Sequence, residues 1–205
     1  MAVDIKDQYE VVLERRVVPQ PVPALSEGGD CAACVLAGVT GLSLELVVAE
    51  LLNDKDSVGY FDTRTALEIA HNEGLLDRVV TDMPMWVERI GKAAWGHPSW
   101  ANSMAWFEYV QMAIDAGYYA LASISFDGGG PLVDTDHAVL ICGVKQWIEP
   151  HPTVEGAGRY MHSILVSCSA KSSPAEYWID AEKFLTEFGG FNVMLARPAK
   201  LLNGR

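Results

Sequence analysis

Residues 28–38 read GGDCAACVLAG: two glycines, one acid, then small and apolar residues with no charge. The segment is too helix-prone for a strand and too short to span a membrane. It predicts a buried helix from about Asp30 or Cys31 to Ala37, stopped by Gly38. Cys31 then stands at the helix N-terminus, where the positive end of the macrodipole favours thiolate. Gly28 and Gly29 let the backbone approach a ligand closely, and N–H groups there are suited to hold an oxyanion. The plainer alternative is that Cys31 is a small buried residue at a helix start, since unpaired cysteine is among the most buried types.

Upstream, residues 17–30 (VVPQPVPALSEGGD) hold three prolines and two glycines and read as an extended lead-in spanning residues 1–30. Downstream, SLELVVAELL predicts a helix with Ser43 as N-cap. Another is expected from Thr65 to about Asn72, with Thr65-x-x-Glu68 as a capping box and Gly74 as its stop. SMAWFEYVQMAIDAG predicts a helix closed by Gly117, preceded by a loop-like KAAWGHPSWANS. The pattern then changes to strands at YYALASISF, HAVLICGV, HSILVSC and FNVMLAR, with one helix, about Asp180 to Phe188, before the last. Helices first and strands later predict one α+β domain over residues 1–205, mainly helical over 31–117 and sheet over 118–198.

His137 heads the strongly apolar HAVLICGV after a polar turn, so its ring can face a cleft while the strand fills the core. A lone histidine at a strand head is more often structural or merely exposed. A cysteine and a histidine far apart in sequence, each at the rim of an element, form the general pattern of an activated thiol nucleophile.

The two contexts together resemble the papain-like cysteine peptidases. GGDCAACVLAG is similar to their nucleophile helix, and DHAVLICGV to their histidine strand. The order of SLELVVAELL, LEIAHNEGL and ALASISF is most like the bacteriocin-processing (double-glycine leader) branch, and residues 164–198 resemble related modules of phage endolysins. The likeness runs from about Leu25 to Pro198. It implies a papain-like fold, a helical subdomain packed on a curved antiparallel sheet. It also implies peptide or amide hydrolysis without cofactor or metal, Cys31 as nucleophile and His137 as base. Two positions depart from the pattern. Leu25 stands where the family has an oxyanion-holding Gln. Cys168, flanked by Ser167 and Ser169, stands where an Asp or Asn orients the imidazole. Ser169 is taken as the orienter, with Asp136 as a substitute from elsewhere in the chain. Gly29, Asp30, Trp95, Trp100 and Asp136 are expected on the substrate side. The implied substrate is a peptide, in an endolysin a bacterial cell-wall peptide, with a separate wall-binding or lytic partner chain possible on that reading. An acyl transferase or a catalytically impaired peptide-binding module would use the same scaffold.

Other chemistries fit less well. Cys31-Ala-Ala-Cys34 lacks the preceding strand of a redox dithiol fold. A zinc site from Cys31, Cys34, His137 and Cys142 needs ligands to converge, yet His137 and Cys142, five apart on a strand, point to opposite faces. No carboxylate pair for glycoside hydrolysis stands out, and Gly128-Gly129-Gly130-Pro131 reads as a hairpin turn rather than a phosphate loop. Trp106, Phe107 and Tyr109 are expected in the core; Trp95 and Trp100, in the loop, are expected to line the cleft.

Across 205 residues, 15 Lys+Arg against 27 Asp+Glu leave a formal charge of −12, which disfavours nucleic acid and anionic membrane surfaces as partners. Half the residues are hydrophobic, which excludes a disordered chain. The N-terminal residues MAVDIKDQYE lack the pattern of a signal peptide, so synthesis in the cytoplasm is expected, with the host cell envelope as destination for an endolysin. Four cysteines in this length are expected to be reduced thiols.

Overall fold

The computed structural model describes residues 8–19, 30–51, 63–81, 100–124, 137–170, 175–188 and 193–199. Among them are β1 (Tyr9–Val12), α1 (Cys31–Thr40), α2 (Leu44–Leu46, continued by a π turn, Val47–Leu51), α3 (Thr63–Asn72) and β2 (Leu76–Val80). Then come α4 (Trp100–Asp115), β3 (Tyr119–Ile124), β4 (His137–Pro150), β5 (Gly158–Ser167), β6 (Glu176–Asp180), α5 (Ala181–Phe188) and β7 (Val193–Pro198). The class is α+β, with an antiparallel sheet in the order β2-β7-β3-β4-β5-β6. β1 pairs with β4 at Gly143–Gln146, beyond the residues that β3 pairs.

Strand alternation divides the core in two. Val139 and Ile141 of β4 pack with Trp106, Phe107 and Val110 of α4 and Phe184 and Leu185 of α5. Leu140 and Cys142, on the opposite face, pack with α1, α2 and α3 through Cys34, Leu36, Val47 and Leu67. β4 is buried on both sides from Val139 to Val144, which explains its continuous apolar run. Among the described residues no single helix is long and apolar enough to cross a membrane.

The order of elements differs from helices first and strands later. Three strands were not expected: β1 within the lead-in, β2 between helices, and β6. All are short, with charged residues interleaved among apolar ones, and their burial alternates or is partial. The lead-in is extended, but as a strand followed by a strap. Leu13 N donates to Cys142 O (2.7 Å), Arg15 N to the Tyr119 hydroxyl (2.8 Å), Val17 N to Ser167 Oγ (3.1 Å) and Val18 N to Cys34 O (3.2 Å).

That strap accounts for Gly38. It does not end α1, which runs on to Thr40. Gly41 is the left-handed cap, at φ 78°, and its N–H meets Ala37 O. A Cβ on Gly38 would lie 2.3 Å from Arg16 O, so the glycine makes room for the strap. α3 begins at Thr63, two residues before the expected cap, which leaves Thr65 inside the helix. Ser43 does cap α2, accepting from Leu46 N at 3.3 Å. Trp100 opens α4 rather than lying in a loop. The Gly128–Pro131 turn lies outside the described residues.

Candidate active site

Cys31 is the first residue of α1 and is partly exposed, whereas every residue from Ala33 to Thr40 is buried. The reason is the sequence itself: an all-apolar helix sinks into the core, and its first turn is what reaches the rim. Asp30 precedes it at φ −107°, ψ 13°; its side chain does not cap the helix, and its residue is only 1% exposed. Its carbonyl accepts from Cys34 N at 2.8 Å, closing the first turn. The field at this turn is therefore mixed: helix N–H groups favour a thiolate, and the adjacent carboxylate opposes one.

One turn on, Cys34 is fully buried. Burial pushes its thiol up to about 12; Asp30 and Cys31 add to the rise, and the Ser169 hydroxyl pulls the other way. Cys34 is core, as expected for the inner residue of the pair. Ser169 is itself buried, and its Oγ has no hydrogen-bond partner among the described residues. It borders the Cys34 sulfur closely enough to favour the thiolate without the alignment of a hydrogen bond.

His137 heads β4 and is 9% exposed. Its Nε2 lies 3.3 Å from Cys168 Sγ. Cys168 follows the end of β5, is buried, and is anchored by its own N–H to Ala175 O at 2.9 Å. The expected orienter, Ser169, is not the residue at Nε2. Side chains alternate along the chain here, so Cys168 turns to the ring and Ser169 turns to α1. The register that places Cys168 opposite the ring was visible in ILVSCSA; a preference for hydroxyl over thiol as acceptor obscured it.

Residues 168–169 thus join two parts of the molecule. One side chain meets His137, and the next borders the first turn of α1, which itself packs on β4. With Nε2 against Cys168, Nδ1 is the ring's other nitrogen. Two tautomers satisfy the contact. Only the one in which Nε2–H donates to sulfur leaves Nδ1 able to accept a proton.

Gly29, Trp95 and Asp136 lie outside the described residues, as does Leu25, and Trp100 is placed only as the first residue of α4. Among the described residues no group of three or more His, Cys, Asp or Glu side chains is arranged to hold a metal ion. Cys142, raised to about 12 by burial, donates to Leu165 O at 3.6 Å. A groove of about 1080 Å³ lies elsewhere, between the strap, β2 and β7. Its two arginines are already engaged, Arg15 by Val39 O and Arg197 by Asp77. No family model matches the sequence, and a search of curated proteins found no match.

Proposed function

We propose that the chain is a papain-like cysteine peptidase or amidase, in which Cys31 attacks a peptide or amide carbonyl and His137 carries the proton. The observation that carries the reading is the contact of His137 Nε2 with Cys168 Sγ, in a chain segment whose next residue borders the first turn of α1. The contact engages one ring nitrogen and orients the other, as a base requires.

In the reaction, Nδ1 takes the thiol proton as the sulfur adds to the carbonyl carbon. The C–N bond then breaks, the amine leaves with that proton, and a thioester remains on Cys31. Water, deprotonated by the same nitrogen, then adds to the thioester carbonyl; the C–S bond breaks, the acid leaves, and the proton returns to the Cys31 sulfur. The backbone N–H of Cys31, at the first position of α1, lies at the end of the helix that favours an oxyanion. The resemblance to endolysin modules favours a cell-wall peptide as substrate. It also favours action in the host envelope beside a wall-binding or lytic partner chain.

The test is the rate of Cys31 alkylation by iodoacetamide at about pH 6, where an ordinary thiol is almost wholly protonated. Rapid stoichiometric labelling of Cys31, with Cys34, Cys142 and Cys168 slow, is the expected result. Labelling no faster than a simple thiol rules the enzyme out. A second reading, a peptide-binding module of low activity, is favoured by the thiol at position 168, since sulfur is a weak acceptor for an imidazolium. Partition of the thioester between water and added amines separates a hydrolase from an acyl transferase.

A further inference from the structure

We propose that Cys31 and Cys34 form a reversible disulfide after a peroxide oxidises Cys31, so that the first turn of α1 is a modification site in its own right. Residues three apart on a helix lie on one face, with Cβ atoms about 5–6 Å apart. A disulfide needs Cβ atoms about 3.5–4.5 Å apart, so the turn that carries the two thiols must tighten to close it. The pair occupies the first and fourth positions of α1, so the distortion on closing the bond falls on the terminal turn, the one that the bond from Cys34 N to Asp30 O closes.

The two thiols are unequal in the way such a reaction needs. Cys31 is partly exposed and open to a small oxidant; Cys34 is at 0% exposure and is reached only from Cys31. The Cys31 thiolate attacks one peroxide oxygen, the O–O bond breaks, and the products are a sulfenic acid and water. The Cys34 sulfur then displaces that hydroxyl from Cys31 sulfur, releasing a second water and leaving the disulfide. An external dithiol reverses the step by exchange. A second, independent feature supports Cys34 as the resolving thiol. The Ser169 hydroxyl beside it is buried and, among the described residues, spends its proton on no other group. It is placed to donate to the sulfur as negative charge develops. Because Cys34 is held at about 12, this second step should quicken steadily with pH from neutrality upwards.

Loss of hydrolysis on oxidation rests on Cys31 being the nucleophile; formation of the disulfide does not. The experiment treats the full chain with hydrogen peroxide, with or without later dithiothreitol, and reads intact mass and differential alkylation after unfolding. Expected is the loss of two hydrogens, protection of Cys31 and Cys34 together, full alkylation of Cys142 and Cys168, and recovery with dithiothreitol. In Cys34→Ser, peroxide should drive Cys31 to sulfinic and sulfonic acids that dithiothreitol does not restore. Wild-type chain that gains two or three oxygens at Cys31 while Cys34 still alkylates overturns the proposal, whether or not the variant folds. So does a disulfide that joins any other pair. Slow iodoacetamide labelling of Cys31 alongside a normal Cys31–Cys34 bond would remove the enzyme and leave the modification site standing.

Discussion

His137 Nε2 and Cys168 Sγ, 3.3 Å apart and both buried, form a contact between a ring that must carry positive charge in the proposed reaction and an atom poorly suited to share it. A neutral thiol accepts hydrogen bonds weakly. A carboxamide oxygen at the same place would hold Nε2–H more firmly and favour the tautomer with Nδ1 unprotonated. Cys168→Asn is therefore expected to raise the acylation rate of Cys31 roughly fivefold, the equivalent of about 1 kcal/mol. Cys168→Ala should lower it by a similar factor. Single-turnover kinetics on a chromogenic ester would read both. Equal rates in all three proteins would show that Cys168 does not position the ring.

Ser169→Ala separates the two residues that could orient the histidine. Its hydroxyl is buried without a hydrogen-bond partner among the described residues, so removing it relieves a desolvated polar group. We expect stability to be unchanged or higher by up to about 1 kcal/mol, with the acylation rate within about twofold of wild type. A loss of tenfold or more in rate, with the fold intact by circular dichroism, would return the orienting role to Ser169.

The legibility of these features in the sequence follows from how strongly each is determined locally. The α1 segment was readable because an uncharged apolar run just after a Gly-Gly pair in the sequence has few other solutions. β4 and β5 were readable because burial on both faces leaves a continuous apolar signature. Both were nonetheless read too short at one end: β4 continues through Lys145 to Pro150 and β5 begins at Gly158, where a two-stranded hairpin needs only cross-strand pairing. β1, β2 and β6 were missed because strands with one open face mix charge with apolar residues, as a helix or loop does. Gly38 was misread because its reason is a chain segment 22 residues earlier, a contact that no local pattern encodes. At the site, alternation along ILVSCSA was enough to set Cys168 against His137. The contact of Ser169 with Cys34 depends on how α1 sits on the sheet, and that is tertiary.

Gly38→Ala tests the strap. The added Cβ would stand 2.3 Å from Arg16 O and 2.9 Å from the Arg16 carbonyl carbon, both backbone atoms that cannot rotate away. Relief requires lifting residues 16–18 from α1, at the cost of the bonds from Val17 N to Ser167 Oγ and Val18 N to Cys34 O. The expected loss is about 2–4 kcal/mol of unfolding free energy by urea titration. Gly74→Ala is the control, since nothing lies within 4 Å of its Cβ position. There the cost is only the left-handed backbone at φ +75°, about 1–2 kcal/mol. A Gly38 variant no less stable than the Gly74 variant would mean that the strap yields freely.

His162 makes stability depend on pH, and the sign follows from its surroundings. It is buried against the Phe107 ring, with centroids 4.6 Å apart, and its Nε2 lies 3.2 Å from the Gln146 amide nitrogen. Burial lowers its pKa below the ordinary 6.5, outweighing the attraction of Asp180 and Glu108, which acts the other way. The neutral ring accepts from Gln146; protonation at Nε2 would set two donors face to face unless the amide turns over. Between the lowered folded value and 6.5 the unfolded chain binds more protons than the folded one. Unfolding free energy therefore rises with pH through that interval. The contribution of this group is complete above about pH 6.5 and is lost as the pH falls through the ordinary value towards the folded one. His162→Gln removes the titration. Urea unfolding of both proteins at several pH values should show the wild type losing more stability than the variant from neutrality to about pH 5. Parallel curves over that range would mean that His162 titrates in the folded chain as it does in the unfolded one.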